Sequence, residues 1–324
     1  MDSNSVFPKK YAILFDVDLE RFKFFGSEDI LANTKDKIKV IILNSKDLDV
    51  KKAELRQNDL VLTPQKILDN EKEILALAFD REITGEFTIH IEFEGNLSDD
   101  LSGFYRSKYL YKGKEKYLAT TQFEAPYARK AFPCFDNPWK KAEFEVSLLI
   151  GKNLTGISNM PVEKEEKKGK KKLVKFQNTP LMSTYLLYFG VGEFEFLRDS
   201  YEKRTEIRIV TTPGKKEQGR FALDLAKKFL KYFEDYSGIN YPLPKLDLIA
   251  IPDFAAGAME NWGAITFREL LLLSSKDSSF RIKRRIAEVI AHELWHQWSG
   301  NLVTMKWWND LWLNESFATY MAFK

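Results

Sequence analysis

Between about residues 10 and 195, apolar and polar positions alternate in short runs broken by Gly, Asn, Asp and Pro, the period of strands half-buried on one face. Residues 37–43, 87–93, 142–149 and 173–176 are the clearest of these runs. In residues 87–94, Phe87, Ile89, Ile91 and Phe93 fall on one face and Thr88, His90, Glu92 and Glu94 on the other. That alternation puts His90 on a solvated polar face and not at a ligand position. The run EKEEKKGKKK at residues 163–172 mixes both charges around a glycine and lies between strands. It predicts an exposed hairpin tip in preference to a nucleic-acid patch.

After residue 204 the period lengthens. Residues 207–212 read as a strand, 216–236 as a long amphipathic helix and 246–251 as a buried strand between prolines. Ser278 or Ser279 can cap a second helix that carries Ile282, Ile286, Val289, Ile290 and Leu294 and stops at Gly300. Asn309 or Asp310 can cap a third, whose apolar-rich pattern runs on to Lys324 without a terminator. The expected fold class is α+β, with a β-rich domain over residues 1–205 and an incomplete catalytic α+β domain over residues 206–324.

Composition narrows the class of protein. The chain has 324 residues, 44% of them hydrophobic with 25 Phe, 13 Tyr and 7 Trp, which suffices for two packed cores and excludes global disorder. Fifty basic residues against 47 acidic ones leave a net charge of +3, too balanced to imply a nucleic-acid or membrane partner. No stretch approaches the roughly 18 apolar residues of a membrane span, and the opening MDSNSVFPKKY has no apolar targeting core. A single cysteine, Cys134, excludes an intrachain disulfide framework, so a reducing cytoplasm is the expected location.

Only three histidines are present, and two frame the string His292-Glu293-Leu294-Trp295-His296. Residues four apart on a helix return to within about 40° of each other, so both imidazoles can reach one ion. On the second helix this trio overlaps the apolar stripe. Two imidazoles and a carboxylate on a core face are costly unless a partner such as a divalent cation compensates them. Glu315, with eighteen residues between it and His296, supplies a third protein ligand from the third helix. Two histidines and a carboxylate leave one tetrahedral position open, which marks a catalytic zinc site. One Zn2+ per chain is therefore expected, with Glu293 beside it as general base in a metal-assisted hydrolysis. The aromatics Trp295, Trp298, Trp307, Trp308 and Trp312 read as core packing around the two helices and not as a carbohydrate site.

The segment Gly257-Ala258-Met259-Glu260-Asn261, followed by the H-E-x-x-H string and the spaced glutamate, resembles the aminopeptidase N family of gluzincin zinc aminopeptidases. The likeness extends back to Thr121-Gln122-Phe123-Glu124, Ala128-Arg129 and Phe132-Pro133-Cys134-Phe135-Asp136. It implies a saddle-like N-terminal β-domain, a thermolysin-like catalytic domain and peptide substrates with a free N-terminus. It also implies that Glu260, with Gln122 and Glu124, binds the substrate amine while Gly257, Ala258 and Met259 pair with the substrate backbone. Anchoring a cationic terminus one residue from the scissile bond makes an exopeptidase. Without the resemblance, Glu260 reads as a turn residue and Glu124 as an ordinary exposed glutamate.

Two departures qualify the resemblance. Ser316 stands where the family usually has glycine. The family's oxyanion-steadying tyrosine has no counterpart, because Tyr320 lies too close to Glu315 and is assigned to packing. The expectation is thus an N-terminal portion of an aminopeptidase, with the metal and amine sites present and catalysis impaired by on the order of a hundred- to a thousandfold. A leukotriene-type epoxide hydrolase and a noncatalytic peptide-binding module are the alternatives.

Overall fold

The computed structural model describes residues 5–324. Their contacts divide into two compact units built from interleaved stretches of chain. The first is made of residues up to Tyr105 with Thr121–Lys152 and Val162–Tyr185, and the second of Arg106–Thr120, Asn153–Pro161 and Leu186–Lys324. The fold class is α+β. Strands dominate, and the helices Arg220–Ser237 (α1), Phe280–Trp295 (α2) and Trp312–Phe323 (α3) all lie in the second unit. Among the described residues no helix is long and apolar enough to cross a membrane.

The first unit is organised by a nine-stranded sheet. Its order is Val162–Lys168, Lys171–Phe176, Glu143–Gly151, Val6–Asp18, Lys23–Asn44, Ile74–Asn96, Asp49–Gln57 and Leu60–Leu62, with Gln65–Asp69 also paired to Ile74–Asn96. Neighbours are antiparallel except Val6–Asp18 and Glu143–Gly151, which run parallel. The alternation read from the sequence is the alternation of burial: Phe87, Ile89, Ile91 and Phe93 are buried, while Thr88, His90, Glu92 and Glu94 are not. Aromatic rings fill the covered face, with Tyr11 stacked on Phe144 and Phe15 edge-on to Phe93, Phe104 and Phe132.

Three details of this unit add to the expectation. Residues 37–43 are strand, as read, and form the end of the 22-residue Lys23–Asn44, which changes register near Thr34 and Ile38 instead of breaking. His90 is not solvated: its Nδ1 lies 2.9 Å from Asp29 on the neighbouring strand, its Nε2 3.4 Å from Glu92, and its side chain is 13% exposed. Cross-strand charge pairing on the polar face explains the shielding. The charged run forms the expected hairpin, whose tip is Gly169 at φ 57°, but most of it is strand, with Lys168 opposite Lys171.

In the second unit a five-stranded sheet runs in the order Glu195–Tyr201, Thr205–Thr211, Lys245–Ile251, Ala264–Arg268 and Ala258–Met259. The middle three strands are parallel and the outer two antiparallel to their neighbours. A parallel pair needs a crossover, and α1 provides it between Thr205–Thr211 and Lys245–Ile251. The latter strand is buried at every position, as the run between prolines predicts. A four-stranded sheet, most of whose residues belong to this unit, runs in the order Thr155–Ser158, Phe189–Gly192, Lys114–Gln122 and Gly103–Tyr111.

Helix ends account for most of the remaining differences. Lys216–Gly219 forms a 3-10 turn ahead of α1, which closes at Gly238 (φ 69°). Ser279, and not Ser278, caps α2, accepting a hydrogen bond from the Ile282 amide. α2 ends at Trp295, and the chain reaches Gly300 through turns. Asn309 and Asp310 do not cap α3; they lie in the 3-10 turn Trp308–Asp310, which leads into the helix with no side-chain cap.

Candidate functional site

Burial of Ile286, Val289, Ile290 and Leu294 fixes the rotation of α2. Ile282, in the first turn, is instead 46% exposed and takes no part. With that stripe inward, Glu293 and His296 are buried and His292 half-buried on the overlapping face, as the spacing requires. The Nε2 atoms of His292 and His296 lie 3.0 Å apart. Glu315 reaches them from α3, with Oε2 3.2 Å from His292 Nε2 and Oε1 3.6 Å from His296 Nε2.

The other ring nitrogens decide which way the lone pairs face. His296 Nδ1 is 3.1 Å from the carbonyl oxygen of Ser299, which can only accept, so Nδ1 carries a proton and Nε2 is the nitrogen that would give its lone pair to a metal once unprotonated. His292 Nδ1 faces the Thr319 hydroxyl at 3.4 Å. A carbonyl or hydroxyl behind each ring is the outer support that metal-bound imidazoles use. Two imidazole nitrogens and a carboxylate so arranged form a donor set that fits a divalent cation such as zinc.

Beside this set, Glu260 and Glu293 approach His296 so that one ligand atom of each lies within 4.8 Å of the others. Glu293 Oε2 and Glu260 Oε1 are buried with no hydrogen-bond partner among the described residues, so both acceptor atoms are open to a cationic or hydrogen-bond-donating ligand. Burial drives the Glu293 carboxyl well above the ordinary carboxylate range against the pull of His296, and Glu260 and Glu315 add to the rise. Burial would lower His296, but Glu260, Glu315 and Glu293 together outweigh it and raise the imidazole to about 10. Burial likewise opposes ionisation of Glu315, yet hydrogen bonds from His292 and His296 hold its carboxyl far below the usual range. The carboxylates around His296 thus make this cluster attractive to positive charge.

Glu260 follows the two-residue edge strand Ala258–Met259, which pairs with Thr266 and Phe267, while the Gly257 carbonyl accepts from the Arg268 amide. Gly257 and Ala258 line a cavity of about 300 Å³ with His292, Glu293 and Thr319. The turn after Glu260 needs Gly263: its φ is 76°, and a Cβ there would lie 2.6 Å from the Asn159 carbonyl oxygen. Gln122, buried, and Glu124, half-buried, belong to the first unit, whereas Glu260 belongs to the second.

The aromatic cluster divides. Trp298 is buried and Trp295 half-buried, both packed on Phe233 of α1. Trp307 and Trp312 are 44% and 59% exposed, and Tyr320 is 58% exposed, so core packing does not describe them. Gln297 and Asn301, which sequence reasoning passed over, are buried and bond to the Glu260 backbone. Their place just after the second histidine is the one signal that could have drawn attention to them.

Comparison with known proteins supplies the lineage. Residues 7–186 match the peptidase M1 N-terminal domain, and residues 221–324 match the peptidase family M1 domain. The chain is 47% identical over 316 residues to the probable aminopeptidase 2 of Sulfurisphaera tokodaii, covering 97% of this chain and 38% of that protein. It is 45% identical over 317 residues to aminopeptidase M1-C of Oryza sativa subsp. japonica, covering 97% and 36%. With the puromycin-sensitive aminopeptidase of Caenorhabditis elegans the identity is 44% over 323 residues, covering 98% and 34%. The chain thus spans about a third of the length of these curated relatives.

Proposed function

The chain belongs to peptidase family M1, and from that premise we propose that it carries the zinc centre and amine anchor of an aminopeptidase that releases N-terminal residues from peptides. One observation carries the reading: the Nε2 atoms of His292 and His296 converge on the carboxylate oxygens of Glu315, with Glu293 and Glu260 buried alongside. His292, His296 and Glu315 would hold one Zn2+, which when bound supplies Lewis acidity to the site. Glu293 takes the proton of the attacking water and returns it to the leaving amine, the task of a general base that adjoins a ligand without being one. Glu260 anchors the cationic N-terminus, and the edge at Gly257, Ala258 and Met259 offers its backbone to an extended peptide. A reducing compartment goes with this reading, supported by the lone Cys134.

Zinc analysis tests the proposal. The folded chain takes up about one zinc, and His292→Ala weakens binding roughly a hundred- to ten-thousandfold, the share of one ligand in a typical zinc affinity. Glu293→Gln keeps the zinc and loses hydrolysis of an aminoacyl anilide. A folded chain that takes up no zinc overturns the reading.

A further inference from the structure

The geometry points to Gln297 and Asn301 as positioning residues that clamp the backbone carbonyl of Glu260 and so set its carboxylate beside the metal-binding pair. The clamp rests on three amide contacts of Gln297 and one of Asn301. Gln297 Nε2 donates to the carbonyl oxygens of Glu260 (3.1 Å) and Glu293 (3.3 Å), and its Oε1 accepts from the Gly263 amide at 3.3 Å. Asn301 Nδ2 donates to the same Glu260 carbonyl at 2.8 Å. The orientation of the Gln297 amide is forced, since carbonyl oxygens only accept and an amide N–H only donates. Both lone pairs of the Glu260 carbonyl are therefore used, one by each side chain.

These bonds join parts of the chain that lie some forty residues apart in sequence. Gln297 and Asn301 lie just past α2, where the His296 carbonyl accepts from the Asn301 amide. Glu260 lies at the end of a strand only two residues long. A short edge strand has little stiffness of its own, yet the Glu260 carboxylate must hold a fixed distance from His296, whose Nδ1 is 4.0 Å away. Gln297 ties that end to the same turn that carries His296, so the anchor and the ligand move as one body. All three residues are 2% exposed or less, so water does not compete for these bonds. Carboxylates at either amide position would lose the donors and face a carbonyl oxygen; apolar side chains would leave it unpaired.

The consequence for recognition rests on the amine-anchor reading of Glu260, and the test separates the two. Hydrogen exchange is followed in the zinc-loaded full chain and in Gln297→Met, which keeps volume and removes the bonds. In parallel, affinity is measured for a labelled tetra-alanine peptide with a free or an acetylated N-terminus. The variant keeps one zinc and its exchange protection over residues 286–294, raises exchange over residues 257–262 about tenfold, and loses roughly tenfold in preference for the free amine. Gln297→Glu, which retains only the acceptor, behaves like Gln297→Met. Unchanged exchange over residues 257–262 overturns the clamp. If Gln297→Met fails to fold or to bind zinc, Asn301→Ala, which removes one donor, is read the same way. The same failure there makes the role structural and overturns the proposal. A parent chain that binds both peptides equally overturns the amine-anchor reading and leaves the exchange result to decide the clamp.

Discussion

Helix α2 enters the site with a side-chain cap at Ser279 and a buried stripe of Ile286, Val289, Ile290 and Leu294, whereas α3 has no side-chain cap and buries Asn314, Ala318 and Met321. At about 1.5–3 kcal/mol for each large aliphatic group, the stripe anchors α2 by its own burial. The buried face of α3 offers one polar residue, one methyl group and one methionine, while Trp312, Phe317, Tyr320 and Phe323 are 51–73% exposed. His292 and His296 are therefore placed by helix geometry and a hydrophobic core, whereas the helix that carries Glu315 buries little apolar surface of its own. The difference teaches that one site can draw its residues from two helices held on unequal footing, one by a buried stripe of its own and the other with little apolar burial.

Chelation is the strongest way to break this comparison. At zinc concentrations near a thousand times Kd, binding stabilises whatever depends on it by about 4 kcal/mol. Chelation is accordingly expected to raise exchange in residues 312–323 by a hundredfold or more and to leave residues 286–294 nearly as protected as before. Equal loss in both helices would mean that α2 is no better anchored than α3. Truncation probes the same contrast without metal. Ile290→Ala empties a fully buried position and should cost about 2–5 kcal/mol in urea denaturation, while Phe317→Ala, on the exposed face, stays within about 0.5 kcal/mol.

The same contrast explains what could be read from the residues. Spacing of four on a helix brings His292 and His296 together whatever the rest of the fold does, and the buried stripe says which way they point. The strands of the first unit were legible for a similar reason, since alternation at residues 87–94 reports burial directly. The surroundings of α3 were not. Large apolar residues at helical spacing look alike whether or not a neighbour covers them, so Trp307 and Trp312 read as core and are exposed. Asn309 and Asp310 looked like caps because local chemistry favours them there, but a 3-10 turn had already satisfied the chain. Gln297 and Asn301 escaped notice because they bond to backbone some forty residues earlier, which no local pattern encodes.

Two smaller effects sharpen the comparison. Ser279→Ala removes the hydrogen bond to the Ile282 amide and should cost about 1 kcal/mol, the usual worth of such a cap. A change below about 0.2 kcal/mol would mean that the stripe alone holds α2. Trp312→Gln should do least of all. Its ring is 59% exposed at the first turn of α3, so little apolar area returns to water when it is removed, and glutamine has the higher helix propensity of the two. The expected change is within about 0.5 kcal/mol, with a denaturation midpoint independent of protein concentration. A loss above about 1.5 kcal/mol, or a midpoint that rises with concentration, would mean that a second copy covers the outer face of α3. That result would reverse the comparison, because α3 would then be anchored by packing as firmly as α2.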